Sequence, residues 1–362
     1  MNLTLHLTEN CNMDCAYCVQ KKQEMHMSER VVDAAVDLAF STGKYAGLCF
    51  FGGEPLLETK LIYRAIRRCM LKTIETGKPA RYKMTTNGTL LTERFLENAR
   101  AVKMGIGLSF EGLAQDTCRR FRDGAPSFEI VEEKAKLLLK YITDAYAMMT
   151  IAPQAVPQYA ESVKYLYGLG FRQITATIAY GNRVHWTDQD LDLLKEQMQE
   201  IAAFFEEKFM AGEPFYFSPF DSKIRDYIRG FNPSERCHLG FRQMPVASDG
   251  SLYACTQFIG DPVYKLGDVF RGVDRERQRQ LSSQHGETPE SCKECALRTR
   301  CTNSCGCMNR LETGDENQVS PLQCSYERMT IAMADEIADR LFAADEAAFR
   351  KRFAADVPVQ ES

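Results

Sequence analysis

The run Cys11-Asn12-Met13-Asp14-Cys15-Ala16-Tyr17-Cys18 sets three cysteines at C-x3-C-x2-C spacing, directly after Leu3-Thr4-Leu5-His6-Leu7. The second stretch reads as a short buried strand. Three thiolates this close can hold three irons of a cubane iron–sulfur cluster and leave the fourth iron open to bind and reduce a small molecule. A structural zinc site usually takes four protein ligands. Only three cysteines lie together here, and His6 and His26 stand at no typical ligand spacing.

The chain around this loop has 362 residues, 44% hydrophobic and 26% charged, an ordinary globular composition with length for about two domains. Its formal net charge of −4 supplies no basic field for nucleic acid or an anionic membrane. The basic run 271–279 alternates with acids and Gln, as a solvated helix face does. No apolar stretch reaches the roughly 18 residues of a membrane helix. No basic segment followed by an apolar one marks a secretory signal, so a cytoplasmic location is expected. Fourteen cysteines are many for such a chain. In a reducing compartment their spacing points to metal rather than disulfides. Ten fall in spaced sets; Cys49, Cys69, Cys118 and Cys307 stand apart, and the first three read as small buried hydrophobes.

Short apolar runs at 3–7, 47–51, 81–85, 105–110, 147–151 and 173–178 suit strands buried on both faces. Between them lie amphipathic segments at 28–40, 56–74, 92–99, 127–141, 158–169 and 187–210. Ser28, Thr92, Ser127 and Thr187 are plausible N-caps, the last with Asp190 three residues on. Six strand–helix units in series predict an α/β fold with a parallel sheet and outer helices, an open, partial (β/α)6 barrel. Chemistry in such sheets sits at the C-terminal strand edge, where the cysteine loop leaves strand one. The expected organisation is a barrel over 1–210, a bridging region over 211–236 broken by Gly212, Pro214, Pro219, Gly230 and Pro233, a small Cys-rich domain over 237–345, and a tail over 346–362. A hairpin over 241–255 should turn at Asp249-Gly250, a closing helix should run over 326–342, and 356–362 should fray.

Phe51-Gly52-Gly53-Glu54-Pro55 ends the second strand, where two glycines permit close backbone approach to a ligand. With it, the chain resembles the radical S-adenosylmethionine superfamily. That family's C-x3-C-x-aromatic-C loop after strand one matches Cys11, Cys15, Tyr17 and Cys18, and its GGEP turn after strand two matches Gly52 to Pro55. The resemblance implies that Cys11, Cys15 and Cys18 bind a [4Fe–4S] cluster whose open iron is chelated by S-adenosylmethionine, with Gly52, Gly53 and Glu54 at the cofactor's amino group. Thr85-Thr86-Asn87-Gly88 resembles the family's TNG turn, with Asn87 facing the site. Leu108-Ser109-Phe110-Glu111-Gly112 resembles its S-[LI]-D-G segment, with Ser109 at the cofactor and Glu111 in place of Asp. Asp116-Thr117-Cys118-Arg119, with Phe121, Gly124 and Ser127-Phe128 beyond it, is similar to HD-x-x-R…G-x-x-S-F, with Gln115 in place of His. Arg119 is a candidate carboxylate clamp, because its planar fork suits a bidentate partner; the alternative is a structural ion pair.

A second set comprises Cys237, then Gly250 and Cys255, then Cys292-x2-Cys295-x5-Cys301-x3-Cys305 and Cys324. Spacing alone also admits zinc ribbons. The set resembles the seven-cysteine SPASM extension of radical S-adenosylmethionine enzymes, and Gly267-Asp268 resembles that family's G-[DN] pair. The family's partition gives Cys237, Cys255 and Cys305 to auxiliary cluster I, and Cys292, Cys295, Cys301 and Cys324 to auxiliary cluster II. Cluster I is then one thiolate short. Phe231 and its neighbours supply none, which leaves an open or substrate-ligated iron, Cys307, or a non-cysteine ligand.

Three [4Fe–4S] clusters and S-adenosylmethionine are thus the implied cofactors, with a flavodoxin- or ferredoxin-type reductant. The implied reaction is reductive cleavage of S-adenosylmethionine to a 5′-deoxyadenosyl radical that takes hydrogen from a ribosomally made precursor peptide, giving a thioether, a carbon–carbon link or an oxidised residue. The chain opens at strand one, ahead of which many such maturases carry a leader-recognition domain. A separate leader-recognition protein, or binding in the barrel itself, is therefore expected. An anaerobic sulfatase-maturing enzyme is the rival: that family places an Asp base directly after the cysteine matching Cys255, where this chain has Thr256. A non-catalytic electron carrier with three clusters is the alternative of another class, and it gives the Gly52-to-Glu54 turn no purpose.

Overall fold

The computed structural model describes residues 1–20, 22–230, 237, 239–241, 243–285 and 288–354. β1 (Asn2–Thr8) buries Leu3, Leu5 and Leu7, and the short β2 (Met13–Cys15) follows it. α1 (Glu29–Ser41) opens at Ser28, whose hydroxyl accepts from the Val31 amide at 3.3 Å. β3 (Ala46–Gly52) leads through a 3-10 turn, Pro55–Glu58, into α2 (Thr59–Thr76). β4 (Ala80–Thr86), α3 (Glu93–Ala101), capped by Thr92, and β5 (Gly105–Ser109) follow. A single helical turn, α4 (Gln115–Cys118), and β6 (Arg119–Phe121) precede α5 (Phe128–Tyr141). The Ser127 hydroxyl does not cap α5; it donates to the Arg119 carbonyl at 2.6 Å. β7 (Tyr146–Ile151), α6 (Tyr159–Leu169), β8 (Gln173–Ile178) and α7 (Asp188–Met210) complete the six strand–helix repeats. α7 begins with a reciprocal capping box between Thr187 and Asp190.

The expected bridging region over 211–236 holds one more strand and helix, β9 (Tyr216–Phe217) and α8 (Ser218–Arg229). Pro219 reads as a breaker in sequence but stands in the first helical turn, where no intrahelical amide bond is lost. The fully buried Asp221 carboxylate accepts from the Phe217 amide at 2.8 Å and so steadies that start. β10 (Met244–Val246) and β11 (Ser251–Tyr253) form the expected hairpin, with β12 (Lys265–Asp268) and β13 (Gly272–Val273) beyond it. α9 (Arg275–His285), α10 (Gly306–Thr313), α11 (Pro321–Ala344) and α12 (Glu346–Phe353) end the described chain. α11 is longer than the expected closing helix, and the expected tail begins with a helix that buries Phe349 and Phe353. Phe231, Pro233 and the tail residues 356–362 lie outside the described residues.

The chain divides into two compact units that do not follow sequence order. The first comprises Met1–Phe110, Arg119–Ala145 and His238–Glu287. Its sheet runs β13-β12-β11-β10-β1-β3-β4-β5, and β1 pairs in parallel with both β3 and β10. Register places Leu5 opposite Phe50 and His6 opposite Phe51, so the faces alternate. One face, with Leu5, Phe50, Met84 and Ile106, is fully buried. The other carries His6, Phe51, Thr85, Gly107 and Ser109, and Phe51, Thr85 and Ser109 are only half-buried. The expectation of strands buried on both faces holds for β1 and is corrected for β3 and β4, where side chains on one face are half-buried or exposed.

The second unit comprises Glu111–Cys118, Tyr146–Cys237 and Thr288–Ser362, with parallel strands β7-β8-β9. Phe204, Phe205, Phe215, Phe217 and Phe220 stack there with ring centroids 5.2–6.1 Å apart. Such offset and edge-to-face pairs add to the area they bury. Within the described residues no helix is long and apolar enough to cross a membrane.

Candidate cluster-binding site

The cysteine loop is held to the strand ends by backbone. The Gly53 amide donates to the Thr8 carbonyl at 2.8 Å and the Glu54 amide to the Asn10 carbonyl at 2.9 Å. A Cβ on Gly53 would stand 2.1 Å from the Asn10 oxygen, and one on Gly52 (φ +124°) 2.3 Å from the Thr8 oxygen. The glycine pair is therefore required by the loop that leaves β1, whatever else it binds.

Glu54 is fully buried. Its carboxylate accepts from the Leu56 amide at 3.0 Å, the Thr86 hydroxyl at 2.7 Å and the Asn87 amide at 2.8 Å. It thereby ties the end of β3 to the end of β4. Burial pushes its pKa up, and the three donors pull it down. Asn87 carries the link onward, donating to Asn12 Oδ1 at 2.8 Å and approaching Cys11 Sγ at 3.9 Å. Asn12 in turn donates to the Thr89 hydroxyl at 2.8 Å. The Met13 amide donates to Cys11 Sγ at 3.4 Å. Donors aimed at a sulfur stabilise its thiolate form.

The far side of the loop is braced by a small antiparallel sheet of β2 and β6, with Cys15 opposite Arg119 and Met13 opposite Phe121. Nothing in the local sequence pattern marks this pairing, which joins segments a hundred residues apart. Cys11 and Cys15 are buried among Met13, Tyr17, Cys18 and Phe121. Burial pushes the Cys11 thiol up to about 11. Such a thiol ionises at neutral pH only with a bound cation, so the donor set fits a cluster and disfavours a free thiolate. Arg119, the candidate clamp, is buried and donates to the Tyr17 hydroxyl at 2.7 Å. Ser109 ends β5, half-buried.

In the second unit, Glu111 and Gln115 occupy the positions that depart from the family pattern. Glu111 accepts from the Thr150 amide at 2.7 Å, and Gln115 accepts from the Glu111 amide at 3.0 Å. Both side chains therefore serve the backbone.

Of the distal cysteines, Cys255 lies in the first unit, and Cys237, Cys292, Cys295, Cys301, Cys305, Cys307 and Cys324 lie in the second. Arg328 hydrogen-bonds Cys324, and that bond, with the charges of Cys324, Cys295 and Cys292, raises the arginine's pKa. Cys301 is joined to α11 through its neighbour Thr302. The Thr302 amide and hydroxyl each donate to Glu327 at 2.9 Å, and Gln323 donates to the Thr302 carbonyl at 2.7 Å. Glu327 is paired with Lys223 at 2.7 Å, both side chains 6% exposed. Burial, with Glu327 nearby, raises the Cys301 thiol to about 12. Cys305 Sγ and Cys307 Sγ lie 3.6 Å apart, and their hydrogen bond lowers Cys305 to about 7. Among the described residues no three Cys, His, Asp or Glu side chains converge tightly enough for one metal ion. A cubane, whose thiolates each take a different iron, needs a wider set.

Residues 5–166 match the Radical SAM superfamily. That stretch lies on an α/β fold with a parallel sheet, and a Cys-rich part follows toward the C-terminus. The chain is 24% identical to the serine-type anaerobic sulfatase-maturating enzyme of Bacteroides thetaiotaomicron over 82% of this chain and 80% of that one. It is also 28% identical to the uncharacterized protein MJ0907 of Methanocaldococcus jannaschii, over 48% of this chain and 61% of that protein. Native anSMEcpe, solved with bound AdoMet and the Cp18Cys peptide, shares the fold at a TM-score of 0.81 and 19% identity, over 95% of this chain and 99% of that one.

Proposed function

We propose that the protein is a peptide maturase that modifies a ribosomally made precursor peptide through a thioether, a carbon–carbon link or an oxidised residue. When bound, the cluster supplies one-electron cleavage of S-adenosylmethionine to a 5′-deoxyadenosyl radical, the hydrogen-abstracting species of the reaction. Cys11, Cys15 and Cys18 would hold that cluster. The Gly53 and Glu54 amides and the Glu54 carboxylate are occupied by the loop and by β4, and the Glu54 carbonyl accepts from the Leu57 amide at 3.2 Å, so the carbonyl oxygens of Gly52 and Gly53 would receive the cofactor's amino group. Asn87 would steady Cys11, and Ser109 would face the cofactor from β5. The apolar setting of the loop excludes water from the reducing centre. The distal cysteines would form the two auxiliary clusters of a SPASM domain, placing cluster II on α11 and its neighbouring turn. A flavodoxin- or ferredoxin-type protein would deliver the electron.

The observation that carries a crosslinking or oxidising maturase over a sulfatase-type enzyme is Thr256. It follows Cys255 at the start of a 3-10 turn. Its hydroxyl cannot take the substrate proton as a carboxylate base would. The similarity to sulfatase-maturating enzymes over most of the chain favours the second reading, formylglycine formation with a base drawn from elsewhere.

The test is anaerobic reconstitution, dithionite and product analysis. Wild-type protein should form 5′-deoxyadenosine and bind about twelve irons per chain for three cubanes. Cys15→Ala should lose the product; its persistence refutes the cluster assignment, and stoichiometric zinc refutes the auxiliary clusters. Mass spectrometry of short peptides encoded beside the gene decides the substrate. Modification of a sulfatase peptide alone would favour the second reading.

A further inference from the structure

A cavity of about 290 Å³ in the first unit is bordered by Gly53 of the glycine turn and by none of Cys11, Cys15 and Cys18. Its polar walls are His6 of β1, Glu9, Gln20 and Gln23 of the cysteine loop, and Asp249 and Tyr253 of the β10–β11 hairpin. Two carboxylates face it, and among the described residues that line it there is no Lys or Arg. Glu9 and Asp249 repel each other as like charges. Asp249 accepts from the Ser251 amide and hydroxyl at 2.8 and 2.9 Å, so each of its oxygens keeps a free lone pair. His6 is 2% exposed, and its Nε2 has no hydrogen-bond partner. A buried polar atom left unpaired is costly, and the two carboxylates beside it point to an absent positively charged group.

The missing group is narrowed by charge, geometry and size. It carries positive charge, because two carboxylates share a half-enclosed space. It is not a metal ion, because no suitable ligand triad exists among the described residues. At the roughly 30 Å³ that each water occupies, the space equals about ten waters, room for one long side chain and not for a folded element. An ammonium or guanidinium brings several N–H donors in one cation. We propose that this cavity receives a basic side chain, lysine or arginine, of the substrate peptide. The proposal rests on the maturase reading and names the residue that anchors the substrate beside the cluster loop.

The test uses the reconstituted full chain and isothermal titration with Nα-acetyl-lysinamide, Nα-acetyl-argininamide and neutral Nα-acetyl-norleucinamide. At least one cationic probe should bind tenfold or more tightly than the norleucine compound. The stronger of the two assigns lysine or arginine. Asp249→Asn and Glu9→Gln should each weaken it tenfold or more. Glu9→Lys, which places a tethered ammonium in the cavity, should abolish it. Equal binding of the neutral probe, no binding of either cation, or unchanged affinity in Glu9→Lys overturns the proposal. A parallel loss of S-adenosylmethionine affinity in these variants also overturns it, by assigning the cavity to that cofactor. Failure of wild-type protein to cleave S-adenosylmethionine would instead refute the maturase reading, a separate measurement.

Discussion

Replacing Glu54 with alanine strips the acceptor from three donors at once: the Leu56 amide, the Thr86 hydroxyl and the Asn87 amide. All are buried with a carboxylate that is 0% exposed. A buried donor left unsatisfied costs about 1–3 kcal/mol, so the three together should cost roughly 3–9 kcal/mol. Glu54→Gln keeps an oxygen for Leu56 and Thr86 but turns an NH2 group toward the Asn87 amide, and should cost only about 1–3 kcal/mol. Urea denaturation of metal-free wild type and both variants reads the difference as the midpoint shift multiplied by the slope. Amide hydrogen exchange localises it, with faster exchange at Leu56 and Asn87 in the alanine protein. The Asn87–Asn12 link to the cysteine loop should loosen with it, and iron retention should fall in the same order. A Glu54→Ala protein within about 1 kcal/mol of wild type, with Asn87 exchange unchanged, would refute the strut.

His6 is held neutral by burial, its pKa lowered to about 3, while an unfolded imidazole protonates near 6.5. Between those values the unfolded state binds the extra proton. Stability should therefore fall with decreasing pH below about 6.5, by roughly 1.4 kcal/mol per pH unit from this group. His6→Phe should remove that share of the slope, as denaturation of the metal-free protein at several pH values would show. Gly53→Ala should cost about 1–3 kcal/mol or more and lower iron incorporation, because its Cβ meets a backbone oxygen that cannot swing away. In contrast, Gly168→Ala on the open face of α6 should raise stability by about 0.5–1 kcal/mol in the same denaturation assay. Thr187→Ala breaks the α7 capping box and should cost about 1 kcal/mol, measured the same way.

The strand–helix repeats were legible because each apolar run and each cap is local. All six expected strands lie within a residue or two of their expected bounds. α8 escaped because Pro219 punctuates a sequence equally well inside a first helical turn and in a loop. Burial on both faces holds for β1 but not for β3, because Phe51 and Cys49 look like core residues in a list yet line the half-buried side of the sheet. The Gly-Gly-Glu turn was found for its expected ligand, but its backbone role needed the Asn10 carbonyl in place to be seen. The bracing strand Arg119–Phe121 and the Lys223–Glu327 pair join residues about a hundred positions apart, beyond any periodicity.

By itself, the sequence determined that three cysteines follow a first strand, that parallel repeats carry them, and that seven more thiols stand downstream at fixed spacing. These facts are local: spacing sets which thiolates can share a cluster, and period sets which segments are strands. Only tertiary structure decided how the loop is fastened, through Glu54 and Asn87 to the ends of two strands and through β6 to its far side. It also decided that His6, Glu9 and Asp249, from three separate segments, line one cavity. Which distant acceptors share a space depends on register and on the path of the chain between units, and no short window of residues encodes either.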